Sequence, residues 1–227
     1  MCIICRNEYD NLTELDCSGC PYLTSIPYLT NLTELYCYNC PKLTSIPVLK
    51  NITILDCSCC PLLTSIPVLT KLTTLFCYSC PSLTNIPILA SLIDLDCSDC
   101  PHLTSIPVLT NLTKLFCSNC PKLTSIPITN LTKLFCYSCP NLTSIPVLKN
   151  ITILDCSKCP LLTSIPKNNY TYLNKVNCKW LNPNNDRLCK LIKIQRKCKK
   201  YIQKRHETIL TSLIDYLPKE VILYCIL

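Results

Sequence analysis

Glycine occurs once in the 227 residues, tryptophan once, histidine twice and phenylalanine three times. A single glycine excludes the Gly-rich loops that cradle phosphates, and with them P-loop and Rossmann nucleotide enzymes. It also predicts few turns of the kinds that need a positive φ. No apolar run approaches the roughly 20 residues that span a bilayer, so a soluble chain is expected. The opening MCIICRNEYD has no basic start, only a short apolar stretch and no small-residue cleavage site, unlike a secretory signal. The 23 cysteines are therefore expected as thiols in a reducing, intracellular compartment. With 48% apolar residues the chain can bury a core, which excludes disorder as its general state.

Repetition is what the sequence has in abundance. Leu12, Leu32, Ile52, Leu72, Leu92 and Leu112 fall 20 residues apart, Leu131 follows after 19 and Ile151 after 20. They head eight copies of N-L-T-x-L-x-C-x-x-C-P-x-L-T-S-I-P-x-L-x, with a ninth, eroded copy at Leu173, Val176 and Cys178. A repeat of this length predicts a solenoid, whose terminal copies are atypical because they cap it. In the first copy Leu12, Leu15, Cys17, Cys20, Leu23, Ile26 and Leu29 are predicted to point inward and to stack on their counterparts. Pro21 and Pro27, with their equivalents in every copy, deny the return segment a regular helix and predict an extended or polyproline-like path. The Asn-X-Thr tripeptides, glycosylation acceptors outside the cell, read as a by-product of repetition.

The segment LTELDCSGCPYL resembles the L-x-x-L-x-L-x-x-N/C-x-x-L signature of leucine-rich repeats. Its short repeat and I-P-x-L segment are similar to those of bacterial effectors, and its Cys-rich version looks like the repeats of giant DNA viruses. The resemblance implies a curved parallel sheet on a concave side, an extended convex side and a C-terminal helical cap. It divides the chain into an N-terminal cap at 1–11, a solenoid at 12–181 and a basic helical region at 182–227. It also implies a non-enzymatic module that binds a protein partner on the concave face, with no cofactor and no small-molecule substrate.

Cys-x-x-Cys pairs such as Cys17, Cys20, Cys37 and Cys40 have the spacing of a four-cysteine zinc site. Packing accounts for them more simply, because the first cysteine stands at an inward strand position and the second where the family has Asn or Cys. Structural thiols are preferred, no metal ligand is assigned, and zinc stays as the alternative. Catalysis is disfavoured: equivalent thiols cannot all be nucleophiles, and His102 and His206 lie in a variable convex position and a basic stretch.

Candidate binding residues come from the strand positions between the inward ones. Before the strand cysteine stand Asp16, Tyr36, Asp56, Phe76, Asp96, Phe116, Phe135 and Asp155; after it, Tyr38, Tyr78 and Tyr137 interleave with serines. Aromatic residues separate the acids, which relieves like-charge stacking and supplies the residue types that anchor interfaces. A further outward column runs Glu14, Glu34, Ile54, Thr74, Asp94, Lys114, Lys133, Ile153, from acid to base, and predicts a partner of opposite gradient.

Residues 1–166 carry 9 Lys/Arg against 10 Asp/Glu, whereas 167–227 carry 13 against 4, which makes up the net charge of +8. Apolar residues at helical spacing predict one or two amphipathic helices in this basic region. Ile194, Gln195, Lys199 and Lys204 resemble an IQ motif, which implies a calmodulin-type partner. The same basic face offers a similar signal for nucleic acid or an acidic membrane surface. At the end, Leu217, Pro218, Glu220, Val221, Ile222 and Ile226 resemble the opening helix of an F-box, which implies a cullin-ligase linker subunit as partner and a substrate-adaptor role.

Overall fold

The computed structural model describes residues 2, 4–6 and 11–178, within the first of the two units into which the chain divides, Met1–Leu181 and Asn182–Leu227. The C-terminal cap, the IQ-like residues and the F-box-like residues lie outside the described residues.

Among the described residues, nine short strands form one parallel sheet in sequence order. They are β1 (Glu14–Asp16), β2 (Glu34–Tyr36), β3 (Ile54–Asp56), β4 (Thr74–Phe76), β5 (Asp94–Asp96), β6 (Lys114–Phe116), β7 (Lys133–Phe135), β8 (Ile153–Asp155) and β9 (Tyr172–Asn174). The register follows the repeat, so Leu15 faces Leu35 and Leu35 faces Leu55. Within each strand only the central leucine points inward, flanked by two outward residues, as the period of two requires. At about 4.8 Å per strand the stack is roughly 40 Å long. After each strand the chain turns at the Cys-x-x-Cys-Pro segment and returns extended, touching the next return segment at the isolated bridges Ser25–Ser45, Asn85–Ser105 and Ser125–Ser144.

The predicted inward columns are the core. Leu35, Cys37, Cys40, Leu43 and their counterparts are fully buried in the central copies. In the first copy Leu12 is only partly buried. The shortened sixth copy keeps its register, Lys114 facing Lys133. Ile128 fills the buried slot that Leu109 fills one copy earlier, so the missing residue is absorbed in the return segment. In the ninth copy Leu173 holds the strand register and Cys178 is buried, whereas Val176 follows the strand and is exposed.

One expectation fails. Each of the eight copies has a residue in the left-handed region between its two cysteines, and after Gly19 none of these is glycine: Asn39, Cys59, Ser79, Asp99, Asn119, Ser138 and Lys158 take φ between 54° and 56°, and Asn177 takes 62° at the same place in the ninth copy, before Cys178. Such a conformation costs a residue with a Cβ about 1–2 kcal/mol. It persists because the same backbone N–H is held by the next copy, Asn39 N donating to Ser58 O and Ser79 N to Ser98 O, each at 2.8 Å.

The recurrence of Asn and Thr also has a structural cause. Thr33, Thr53 and Thr73 donate their hydroxyls to the carbonyl oxygens of Thr13, Thr33 and Thr53 at 2.9–3.0 Å. Asn51, Asn111 and Asn130 donate their side-chain amides to Thr30, Ala90 and Thr110. Each coil's exposed edge is thereby tied to the coil before it; the threonines add to carbonyls that already accept backbone N–H groups, and the asparagines pair carbonyls of the extended return segment.

Candidate functional site

The strands place their outward residues in two adjacent columns. In the first, Glu14 faces Glu34, and Asp94 faces Lys114, whose Nζ lies 3.0 Å from Asp94 Oδ2. In the second, Asp16 faces Tyr36, Tyr36 faces Asp56, Asp56 faces Phe76, Phe76 faces Asp96 and Asp96 faces Phe116. Alternation stops at Phe116 and Phe135, which are neighbours and stack with ring centroids 4.9 Å apart and planes 4° from parallel. Phe76, Phe116 and Phe135 are half-buried, outside the apolar core, so their outer faces meet solvent.

Beyond the strand ends a third column carries Tyr38, Tyr78 and Tyr137. Tyr38 and Tyr137 are exposed and Tyr78 is half-buried. Between Tyr38 and Tyr78, Ser58 is fully buried, and Ser118 and Ser157 are buried too. Their column is therefore lined by tyrosine, and these three serines are too recessed for a partner to reach.

The aspartates have a second task that spacing alone did not reveal. Asp16, Asp56, Asp96 and Asp155 each accept the backbone N–H of the serine two residues on, at 2.9–3.0 Å. This Asx turn steers the chain out of the strand. At Ser157 the hydroxyl also donates to Asp155 Oδ1, at 2.7 Å. One carboxylate oxygen is thus committed inward while the rest of the group borders the face. Burial raises the Asp96 carboxyl above its ordinary value, outweighing the stabilising Ser98 hydrogen bonds. The Tyr36 hydroxyl donates to Glu34 Oε2 at 2.9 Å, and this bond, with burial and the surrounding acids, raises its pKa.

The repeated cysteines form two internal columns. The second cysteine of each pair donates its sulfhydryl to the carbonyl of the first cysteine one copy earlier: Cys40 to Cys17, Cys60 to Cys37, Cys80 to Cys57 and Cys100 to Cys77, at 3.2–3.3 Å. Among the first cysteines, Cys17, Cys57 and Cys156 donate at 3.5–3.6 Å to the carbonyls of Tyr36, Phe76 and Asn174 in the following strand, while others such as Cys97 pack as small apolar side chains. Burial pushes the thiols of Cys60 and Cys80 up to about 12, and those of Cys57, Cys77 and Cys97 well above the ordinary value. Such thiols are poor nucleophiles and poor metal ligands.

At the N-terminal end the pattern breaks. Cys20 Sγ lies 3.6 Å from Cys5 Sγ, which lies 3.6 Å from Cys2 Sγ, and among the described residues this is the one group of three or more potential ligands that converges. The sequence reading assigned no role to Cys2 and Cys5. The Cys-x-x-Cys spacing in MCIIC was the available signal, hidden because it stands outside the repeat.

The return segments carry one more surface that sequence reading passed over. Tyr28, Val48, Val68, Ile88, Val108 and Val147, each following the Pro of I-P-x-L, are exposed. His102 is exposed on a return-side turn, with Nδ1 2.9 Å from Lys122 Nζ.

The sequence model of the family described as Leucine Rich repeats (2 copies) matches residues 10–51, which hold the first two copies. No curated protein and no solved structure matches the chain.

Proposed function

This chain is a leucine-rich-repeat protein, and from that premise we propose that it works without catalysis, holding a protein partner across the outward faces of β1–β9. Repeats of this class are in general protein-interaction modules. The observation that carries the reading here is the in-register column of acids and aromatic rings, with Phe76, Phe116 and Phe135 half-open to solvent on a rigid sheet. Rigid aromatic side chains lose little conformational entropy on binding and bury much area, which is why they anchor interfaces. Glu14 and Glu34 at one end of the adjacent column and Lys114 and Lys133 towards the other fit a partner with the reverse order of charges.

The test is a double replacement, Phe76→Ala with Phe116→Ala. It should weaken capture of the partner at least tenfold while leaving the circular dichroism spectrum unchanged. Val68→Ala with Val108→Ala, on the return side, should leave capture intact. Equal loss from both pairs, or loss from the second alone, refutes the assignment.

A reducing, intracellular setting belongs to the same reading and is supported by the ladder of sulfhydryl donors. The sequence of the last eleven residues supports a more specific form, in which Leu217, Pro218, Glu220, Val221, Ile222 and Ile226 recruit the linker subunit of a cullin ligase. Truncation after Tyr216 should then abolish that association and spare partner capture. A calmodulin-type partner on Ile194, Gln195, Lys199 and Lys204, or an acidic nucleic acid on the same basic segment, is the competing use of the tail, and it would survive that truncation.

A further inference from the structure

From the second copy onward the second cysteine has a carbonyl in the preceding coil to receive its proton, as Cys40 has Cys17 O. Cys20 belongs to the first copy, and among the described residues its sulfur makes no such bond to a carbonyl. Its sulfur faces Cys5 at 3.6 Å instead, with Cys2 a further 3.6 Å on, and all three sulfurs lie within 4.8 Å of one another. Cys5 sits in the short 3-10 turn Ile4–Arg6, and that turn is what lets Cys2 and Cys5 face the same way. Zinc–thiolate bonds of about 2.3 Å in a tetrahedral arrangement put sulfurs about 3.8 Å apart, so the two observed separations are close to the edges of a zinc–sulfur tetrahedron. Cys2 and Cys5 are only partly buried, which leaves solvent access for a fourth ligand.

We propose that Cys2, Cys5 and Cys20 bind one zinc ion, with the fourth position open to solvent. Each ligating thiol releases its proton to solvent as the metal enters. The ion ties the N-terminal segment to Cys20 and closes the open end of the solenoid, where Leu12 is left partly uncovered. Small or terminal structural units that lack enough core of their own are commonly closed by such a staple.

The experiment uses the full chain, reduced, incubated with zinc sulfate, dialysed and weighed by native mass spectrometry. The Cys2→Ser/Cys5→Ser double variant, altered only outside the repeats, should hold one zinc fewer than the parent. Cys20→Ser should match it, and Cys40→Ser should match the parent. Cobalt(II) added to the parent should give a thiolate-to-metal charge-transfer band that the double variant lacks. A parent that takes up no zinc overturns the proposal, as does a double variant that keeps the parent's full complement and cobalt band. A parent recovered two hydrogens lighter in a fragment spanning these cysteines, even under reductant, points to a disulfide and also overturns it.

Discussion

Cys97 and Cys100 have different surroundings, and substitutions at the two should reveal it as an inversion. Both side chains are fully buried at the middle of the array. Cys100 donates to Cys77 O at 3.3 Å, whereas Cys97 Sγ has no hydrogen-bond acceptor among the described residues. Cys100→Ala orphans a buried carbonyl, at about 1–3 kcal/mol, and removes a methyl-sized volume, at about 1 kcal/mol. Cys100→Ser keeps a donor and should cost about 1 kcal/mol. At Cys97 the order reverses: Ala loses only volume, about 1 kcal/mol, while Ser buries an unpaired hydroxyl for about 1–3 kcal/mol more. Urea denaturation followed by circular dichroism gives the four midpoints. Ser above Ala at 100 together with Ala above Ser at 97 is the expected result. The same order at both positions would refute the distinction between a donor at 100 and a packing side chain at 97.

The strained turns predict that Ser79→Gly stabilises the chain by about 0.5–1 kcal/mol, the relief of a left-handed conformation less the added flexibility of glycine; Gly19→Ala should lose a similar amount, both read as urea midpoints. Asp96 holds its proton more tightly when folded than unfolded, so its charge weakens the fold as pH rises from the unfolded pKa through the folded one. Asp96→Asn, which can still accept the Ser98 N–H, should therefore be more stable than the parent at pH 7, with the advantage fading towards pH 3. Brief alkylation of the native chain, mapped by peptide mass spectrometry, should modify the partly exposed Cys59 and spare Cys57, Cys77 and Cys97; labelling of all four at one rate contradicts the buried columns.

Periodicity made the core legible. A residue repeated every 20 positions, as at Leu35, Leu55 and Leu75, must occupy equivalent places in successive coils, and that alone sets the parallel register. What escaped the sequence reading depends on contacts between copies. The left-handed turn at Ser79 and Lys158 is invisible to residue preference, because the neighbouring coil rather than the local residue holds it. Ser58 lies hidden because Tyr38 and Tyr78 flank it, although its own type suggests exposure. Asp96 looked like a binding group and is also a turn acceptor. The convergence of Cys2, Cys5 and Cys20 joins a non-repeating segment to the second cysteine of the first copy, so no period in the sequence could announce it.

The central claim, that a partner docks on the outward face of the strands, is tested most directly by a photoreactive phenylalanine analogue placed at one position at a time. At Phe116, on the face, it should crosslink a discrete partner in lysate of the cells where the protein acts, and excess unmodified protein should compete that crosslink away. At Val108, exposed on the return side, it should give no such product. A competed crosslink at Val108 with none at Phe116 would contradict the account.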